Sequence, residues 1–103
     1  MMKAPIITED HLDLMHFIQE GNEVSQRMIA QNTGLSIGKV NYCLRALIDI
    51  GFVKISNFKS SSKKLKYVYI LTPKGIQQKT VITKQFINKK KREYDKLISY
   101  IDS

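Results

Sequence analysis

A chain of 103 residues can bury one modest core and leaves no room for a second full domain, so one domain with an appendage is expected. With 17 Lys+Arg against 9 Asp+Glu, a net charge of +8 and a pI near 9.7, it favours a polyanionic partner over an acidic small substrate. The single cysteine rules out an internal disulfide, and no stretch approaches the ~20 apolar residues of a membrane span, which points to a soluble protein of the reducing cytoplasm.

The charge is unevenly placed. Residues 1–35 carry two basic against five acidic side chains, residues 36–66 carry seven basic side chains against Asp49, and residues 67–103 carry eight against three. The opening MMKAPIITED has no apolar run after Lys3 of the length a signal peptide needs. Thr8 followed by Glu9 and Asp10 reads as a helix start, an N-cap with acids in the positive first turn. Leu12, Leu14, Met15, Phe17 and Ile18 then form an apolar stripe, and Gly21-Asn22 ends the helix. His11 and His16 fall on different sides of that helix, which argues against a shared metal and for solvent exposure. Val24 is expected to make a very short strand.

Ser25 to Gly51 reads as two helices around a tight turn. Ser25 caps the first, which carries Met28, Ile29 and Ala30, and Gly34 supplies the positive φ of the turn. Gln26 and Arg27 stand at its N-terminus, where backbone N–H groups and a cation converge on a phosphate; plain solvation is the other reading. Ser36 caps the second helix and Gly51 suits its left-handed C′ position. Ile37, Val40, Leu44, Leu47 and Ile48 recur on one face, opposite Gly38, Lys39, Asn41, Tyr42 and Arg45. A buried stripe backed by donors and an aromatic ring is what a helix in a DNA major groove requires. Helix pairs with polar outer faces also serve as plain scaffold, and the stretch by itself leaves both readings open. Cys43, between Val40 and Leu47, is expected to be half-buried core; a redox sensor is the competing reading.

After Gly51 the period becomes two. Residues Phe52 to Phe58 and Lys66 to Leu71 are rich in β-branched and aromatic side chains and read as a hairpin, with Lys59, Lys63, Lys64 and Lys66 around its polar tip. A lysine-tipped hairpin directly after such a helix is a wing suited to phosphate or minor-groove contact, and it shifts the balance towards a DNA reader. Thr72 and Pro73 restart a helix as N-cap and first position, and it runs uninterrupted to Ile101, ~29 residues and ~44 Å. Spacing of four then three picks out Ile76, Thr80, Thr83, Ile87, Lys90, Tyr94, Leu97 and Ile101, a seam widened by Val81, Ile82, Phe86 and Ile98. So long an amphipathic helix outruns the core, and a second copy of the chain is the expected partner. Folding back onto the first helix as a monomer is the alternative. The run Asn88 to Arg92 is either a solvated face or a contact to flanking phosphates.

Three helices, a basic hairpin and LTPKG opening a long helix resemble a winged helix–turn–helix of the MarR type across nearly the whole chain. The strings LSIGKVNYCLRALIDIGFVKISNF and YILTPKGI resemble a compact branch, the MarR-family EPS-associated transcriptional regulators, which lie near genes for exopolysaccharide or surface-glycan synthesis. The resemblance implies a dimer on a pseudo-palindromic operator, with Ser36, Lys39, Asn41, Tyr42 and Arg45 as base or phosphate readers and Lys63 and Lys64 as wing contacts. The chain lacks the extra N-terminal helix that walls a ligand pocket in larger MarR proteins, so an aromatic-ligand response is not implied.

The expected architecture is mainly α with a small hairpin wing. Residues 1–72 form the DNA-binding unit and residues 73–103 a dimerisation helix. The expected function is sequence-specific binding of double-stranded DNA without chemistry, cofactor or metal. In it Arg45 or Lys39 pairs with guanine, Asn41 with adenine, and Tyr42 packs on a sugar or thymine methyl. An interaction module docking another factor through the C-terminal helix is the alternative. No nucleophile–base pair, glycine-rich phosphate loop or carboxylate pair suggests an enzyme.

Overall fold

The computed structural model describes residues 7–20, 24–59 and 65–102. Its order is α1 (Glu9–Glu20), α2 (Gln26–Thr33), α3 (Ile37–Asp49), β1 (Val53–Lys59), β2 (Leu65–Leu71) and α4 (Pro73–Asp102). The boundaries of α2 and α3 have local causes. Ser25 Oγ accepts the Met28 N–H at 3.2 Å, and Ser36 Oγ accepts the Lys39 N–H at 3.1 Å, so both serines cap as their sequence positions suggest. Gly34 closes α2 at φ +76° with its N–H on the Ala30 carbonyl. At the end of α3, Gly51 (φ +83°) donates to Ile48 O and Phe52 donates to Leu47 O, the paired bonds of a Schellman ending.

The core lies where three helices meet the base of the hairpin. Leu14, Met15 and Ile18 from α1, Ile29 from α2, and Val40, Cys43, Leu44 and Leu47 from α3 are buried together with Val24, Phe52, Val53, Leu71 and Ile82. β1 and β2 pair antiparallel from Val53 opposite Leu71 to Lys59 opposite Leu65, one residue nearer the tip at each strand than the alternation predicts. Beyond Val53 the hairpin still packs on the core through Tyr69, and Val68 is buried, while Ile55 and Tyr67 are exposed. Val24 makes no strand. Its carbonyl accepts a hydrogen bond from Tyr69 N at 3.3 Å, which ties it to β2 without extending the sheet.

The junction between wing and α4 is dense with bonds. Thr72 N–H donates to Phe52 O, and Thr72 Oγ1 donates to Gly51 O at 2.6 Å while accepting the Gly75 N–H at 3.0 Å. Lys74 Nζ donates to Ile50 O at 3.2 Å and stands 5.6 Å from the centroid of the Phe52 ring. Thr72-Pro73-Lys74-Gly75 therefore starts α4 and fastens it to the last turn of α3. At ~1.5 Å per residue the 30-residue helix is ~45 Å long, against a longest molecular dimension of 65 Å. Gly75, Ile82 and half-buried Phe86 face the chain's own core, whereas every side chain from Ile87 to Asp102 is exposed. Ile82 and Phe86 thus belong to the intramolecular packing and not to the outer stripe. Among the described residues no helix is long and apolar enough to cross a membrane.

Three further sequence expectations need correction. His11 is buried, because it occupies the third helical position of α1 and folds back so that its Nδ1 accepts the Thr8 N–H at 3.0 Å. Ile37, expected on the apolar face of α3, is 54% exposed, since the first residue of the helix projects past the end of the core. Cys43 is fully buried, and burial pushes its thiol up, away from the thiolate a sensor needs. His16 is exposed as expected.

Burial of His11 has a measurable consequence. Desolvation first, and the Lys39 ammonium second, hold the imidazole below its ordinary 6.5, against the opposing pull of Asp10. The unfolded chain then binds a proton at higher pH than the native one. The contribution is fully present above about pH 6.5 and is lost as pH falls below it towards the lowered native value. Denaturation midpoints measured from pH 7.5 to 5.5 should fall for the wild type and fall less for His11→Gln; equal slopes would refute the assignment.

Candidate nucleic-acid interface

The outer face of α3 gathers the predicted readers. Ser36, Lys39, Asn41, Tyr42 and Arg45 are all exposed, while Val40, Cys43, Leu44 and Leu47 on the opposite face are buried. Asn41, Tyr42 and Arg45 line a shallow groove of about 340 Å³ with Ala46 and Asp49. Tyr42 is 66% exposed, so its ring stands free of the core on this face. The helix is fixed from behind by core packing and at both ends by its caps, so these side chains stand on a rigid support.

The remaining predicted contacts are less uniform. Arg27 is exposed at the N-terminus of α2, but Gln26 Nε2 donates to the Ile37 carbonyl at 3.2 Å and so braces α2 against α3. The Ser36 hydroxyl oxygen is occupied as the cap of α3. Lys66 lies in β2 opposite Phe58 as expected, and Lys59, expected in the loop, closes β1 opposite Leu65. Lys63 and Lys64 lie outside the described residues. Lys54, which the sequence reading passed over, is exposed on β1 opposite Ile70, and its alternation with buried Val53 was the available signal.

Lys39 has one neighbour in its own helix and one that no local pattern announces. Its Nζ stands 4.0 Å from Asp10 Oδ2 on α1 and 5.8 Å from the centroid of the Tyr42 ring. On α4, Ile76, Thr80, Ile87, Tyr94, Leu97 and Ile101 are exposed, and Thr83 is partly covered with its hydroxyl on the Lys79 carbonyl. That helix is tied to α1 by Lys79–Gln19 (2.6 Å) and, past its midpoint, by Lys90–Glu9 (2.7 Å). Leu12, Phe17 and Ile87 wall a groove of about 790 Å³ between the two. Among the described residues no cluster of His, Cys, Asp and Glu is arranged to hold a metal.

Residues 11–54 match the family described as winged helix-turn-helix DNA-binding, a span from α1 to the start of β1. No curated protein sequence matches the chain. Among solved structures it is similar to a mutant of MepR from a multidrug-resistant S. aureus clinical isolate, with TM-score 0.66 and 17% identity over 87% of this chain. It is also similar to Bacillus subtilis PadR in complex with operator DNA (TM-score 0.60, 20% identity, 71% of this chain). A PadR-like transcriptional regulator from Bacillus cereus gives TM-score 0.71 at 16% identity, covering 84% of this chain and 89% of that one. The chain spans 64% of MepR and 46% of the B. subtilis PadR. At these identities the likeness shows the fold: three helices, a two-stranded wing and a long C-terminal helix in winged-helix order.

Proposed function

We propose that this winged-helix chain is a dimeric transcriptional regulator of MarR type that binds double-stranded DNA sequence-specifically and acts by occupying its operator in the cytoplasm. The observation that carries this reading is the exposed row Lys39, Asn41, Tyr42 and Arg45 on a buried, doubly capped helix inside the matched span. Arg45 offers a bidentate donor pair to guanine O6 and N7, Asn41 suits adenine, and the wing adds sequence-independent attraction to phosphates. Operator DNA in the B. subtilis PadR structure and DNA in the Streptococcus pneumoniae FabT structure support the same use of the fold. Residues 1–72 serve as the reading unit and residues 73–103 as the dimer arm, so two α3 helices meet successive major grooves of a pseudo-palindrome ~34–36 Å apart. The EPS-associated resemblance of LSIGKVNYCLRALIDIGFVKISNF supports exopolysaccharide or surface-glycan genes as the regulated set.

The test is binding to an operator selected from random-sequence duplex, compared with arbitrary duplex over a salt series. The wild type should prefer the selected site and lose affinity with salt. Arg45→Ala together with Lys39→Ala should weaken operator binding by at least about tenfold and relax the preference, since one good bidentate pair carries roughly 1–3 kcal/mol of discrimination. Undiminished binding by the double variant would sink the assignment of α3 as reader and favour a protein-docking module.

A further inference from the structure

The two carboxylates in the first turn of α1 are used differently. Glu9 Oε1 lies 2.7 Å from Lys90 Nζ, so it fastens α1 to the dimer arm. Asp10 Oδ2 lies 4.0 Å from Lys39 Nζ, a lysine on the very face assigned above to DNA. A lysine ammonium on a free four-carbon stem accepts any phosphate within reach and carries no sequence information. Lys39 is instead flanked by a carboxylate on one side and by the Tyr42 ring on the other. The Lys39 and Asp10 side chains are 46% and 40% exposed, so the pair is a weak tether open to competition and not a fixed strut. The Asp10 carboxylate also sets a negative charge at the N-terminal rim of α3, where DNA phosphates would pass.

We propose that Asp10 is a positioning residue that sets specificity: it holds Lys39 beside Tyr42 and withholds it from the phosphate backbone, which lowers affinity for arbitrary duplex. The proposal rests on the reading of α3 as the DNA-contacting helix. Phosphate contacts supply essentially all of non-specific affinity, so the tether costs most on arbitrary DNA. On an operator, base-edge contacts from Asn41 and Arg45 offset that cost, and the ratio between the two widens.

The experiment measures binding of the full chain to a 30-base-pair duplex of arbitrary sequence across a salt series. Asp10→Asn should tighten binding about threefold and steepen the dependence of log K on log salt by up to about 0.9, the release expected for one further neutralised phosphate. Glu9→Gln removes the same charge from the same helical turn but frees Lys90 of α4 instead of Lys39 of α3, and should leave the salt slope at the wild-type value. Asp10→Glu should restore wild-type behaviour, and the gain from Asp10→Asn should vanish in a Lys39→Ala background. An Asp10→Asn variant indistinguishable from Glu9→Gln, or a gain that persists without Lys39, would overturn the proposal. Arg45→Ala binding a selected operator as tightly as the wild type would instead overturn the reading of α3 beneath it.

Discussion

Gly75→Ala is expected to destabilise the fold by at least about 2 kcal/mol, in the range found for overpacking, and to lower the melting temperature by roughly 8 °C or more. Position 75 is the third residue of α4, where alanine is ordinarily better than glycine by about 1 kcal/mol. Here the sign reverses. A Cβ at Gly75 would overlap the carbonyl oxygen and carbon of Phe52 and press on the Leu71 side chain. The Phe52 carbonyl cannot yield cheaply, because it accepts the Thr72 N–H while Phe52 N–H closes the Schellman ending of α3 on Leu47. The overlap is therefore with pinned backbone, not with the end of a flexible side chain. Gly38 is the internal contrast: it lies within α3 and a Cβ there meets nothing within 4 Å. Gly38→Ala should raise stability by roughly 0.5–1 kcal/mol. Thermal and denaturant unfolding of both variants decides the matter; a Gly75→Ala protein as stable as the wild type would show that the junction is loose.

The same junction explains why some features were legible in the sequence and others were not. Ser25, Ser36, Gly51 and Thr72-Pro73 act on backbone groups within a few residues, so their types and spacing disclosed the helix ends directly. The faces of α3 followed from periodicity, with an error at Ile37, where the helix has begun but the core has not. Glycine at position 75 carries a through-space reason, the passage of the Phe52 carbonyl, that no local pattern encodes. The burial of His11 is similar: the N-cap signal at Thr8 was readable, but histidine in place of the usual Glu or Gln disguised the reciprocal bond. Ile82 and Phe86 share a stripe with residues that face outward, and the stretch of α4 that packs on the core decides which of them the domain keeps. The Asp10–Lys39 pair joins residues far apart in the chain, where charge type by itself predicts many partners.

The exposed second half of α4 also determines which substitutions can probe the proposed second copy of the chain without harming the first. Tyr94, Leu97 and Ile101 are 65%, 61% and 79% exposed, so their apolar surface contributes nothing to the protomer's own core. Leu97→Glu together with Ile101→Glu should leave the protomer folded, since neither side chain packs on its core, and should lower the melting temperature only by the stabilisation that a second copy adds. Both substitutions would place unpaired carboxylates in a helix-to-helix seam, where burying a charge without a partner is prohibitive. The wild type should therefore sediment at about twice the chain mass of 11.9 kDa and the double variant at that mass. Operator affinity should fall with it by a factor on the order of 100 or more, because each reading helix then binds without the effective concentration its twin provides. Binding to a single half-site should be nearly unchanged. That pattern separates the arm's role from that of α3: loss of Arg45 weakens each half-site, whereas loss of Leu97 and Ile101 weakens their sum. A variant that stays dimeric and binds the full operator as the wild type does would place the interface elsewhere, and a wild type that sediments at 11.9 kDa would leave the exposed stripe of α4 for a different protein.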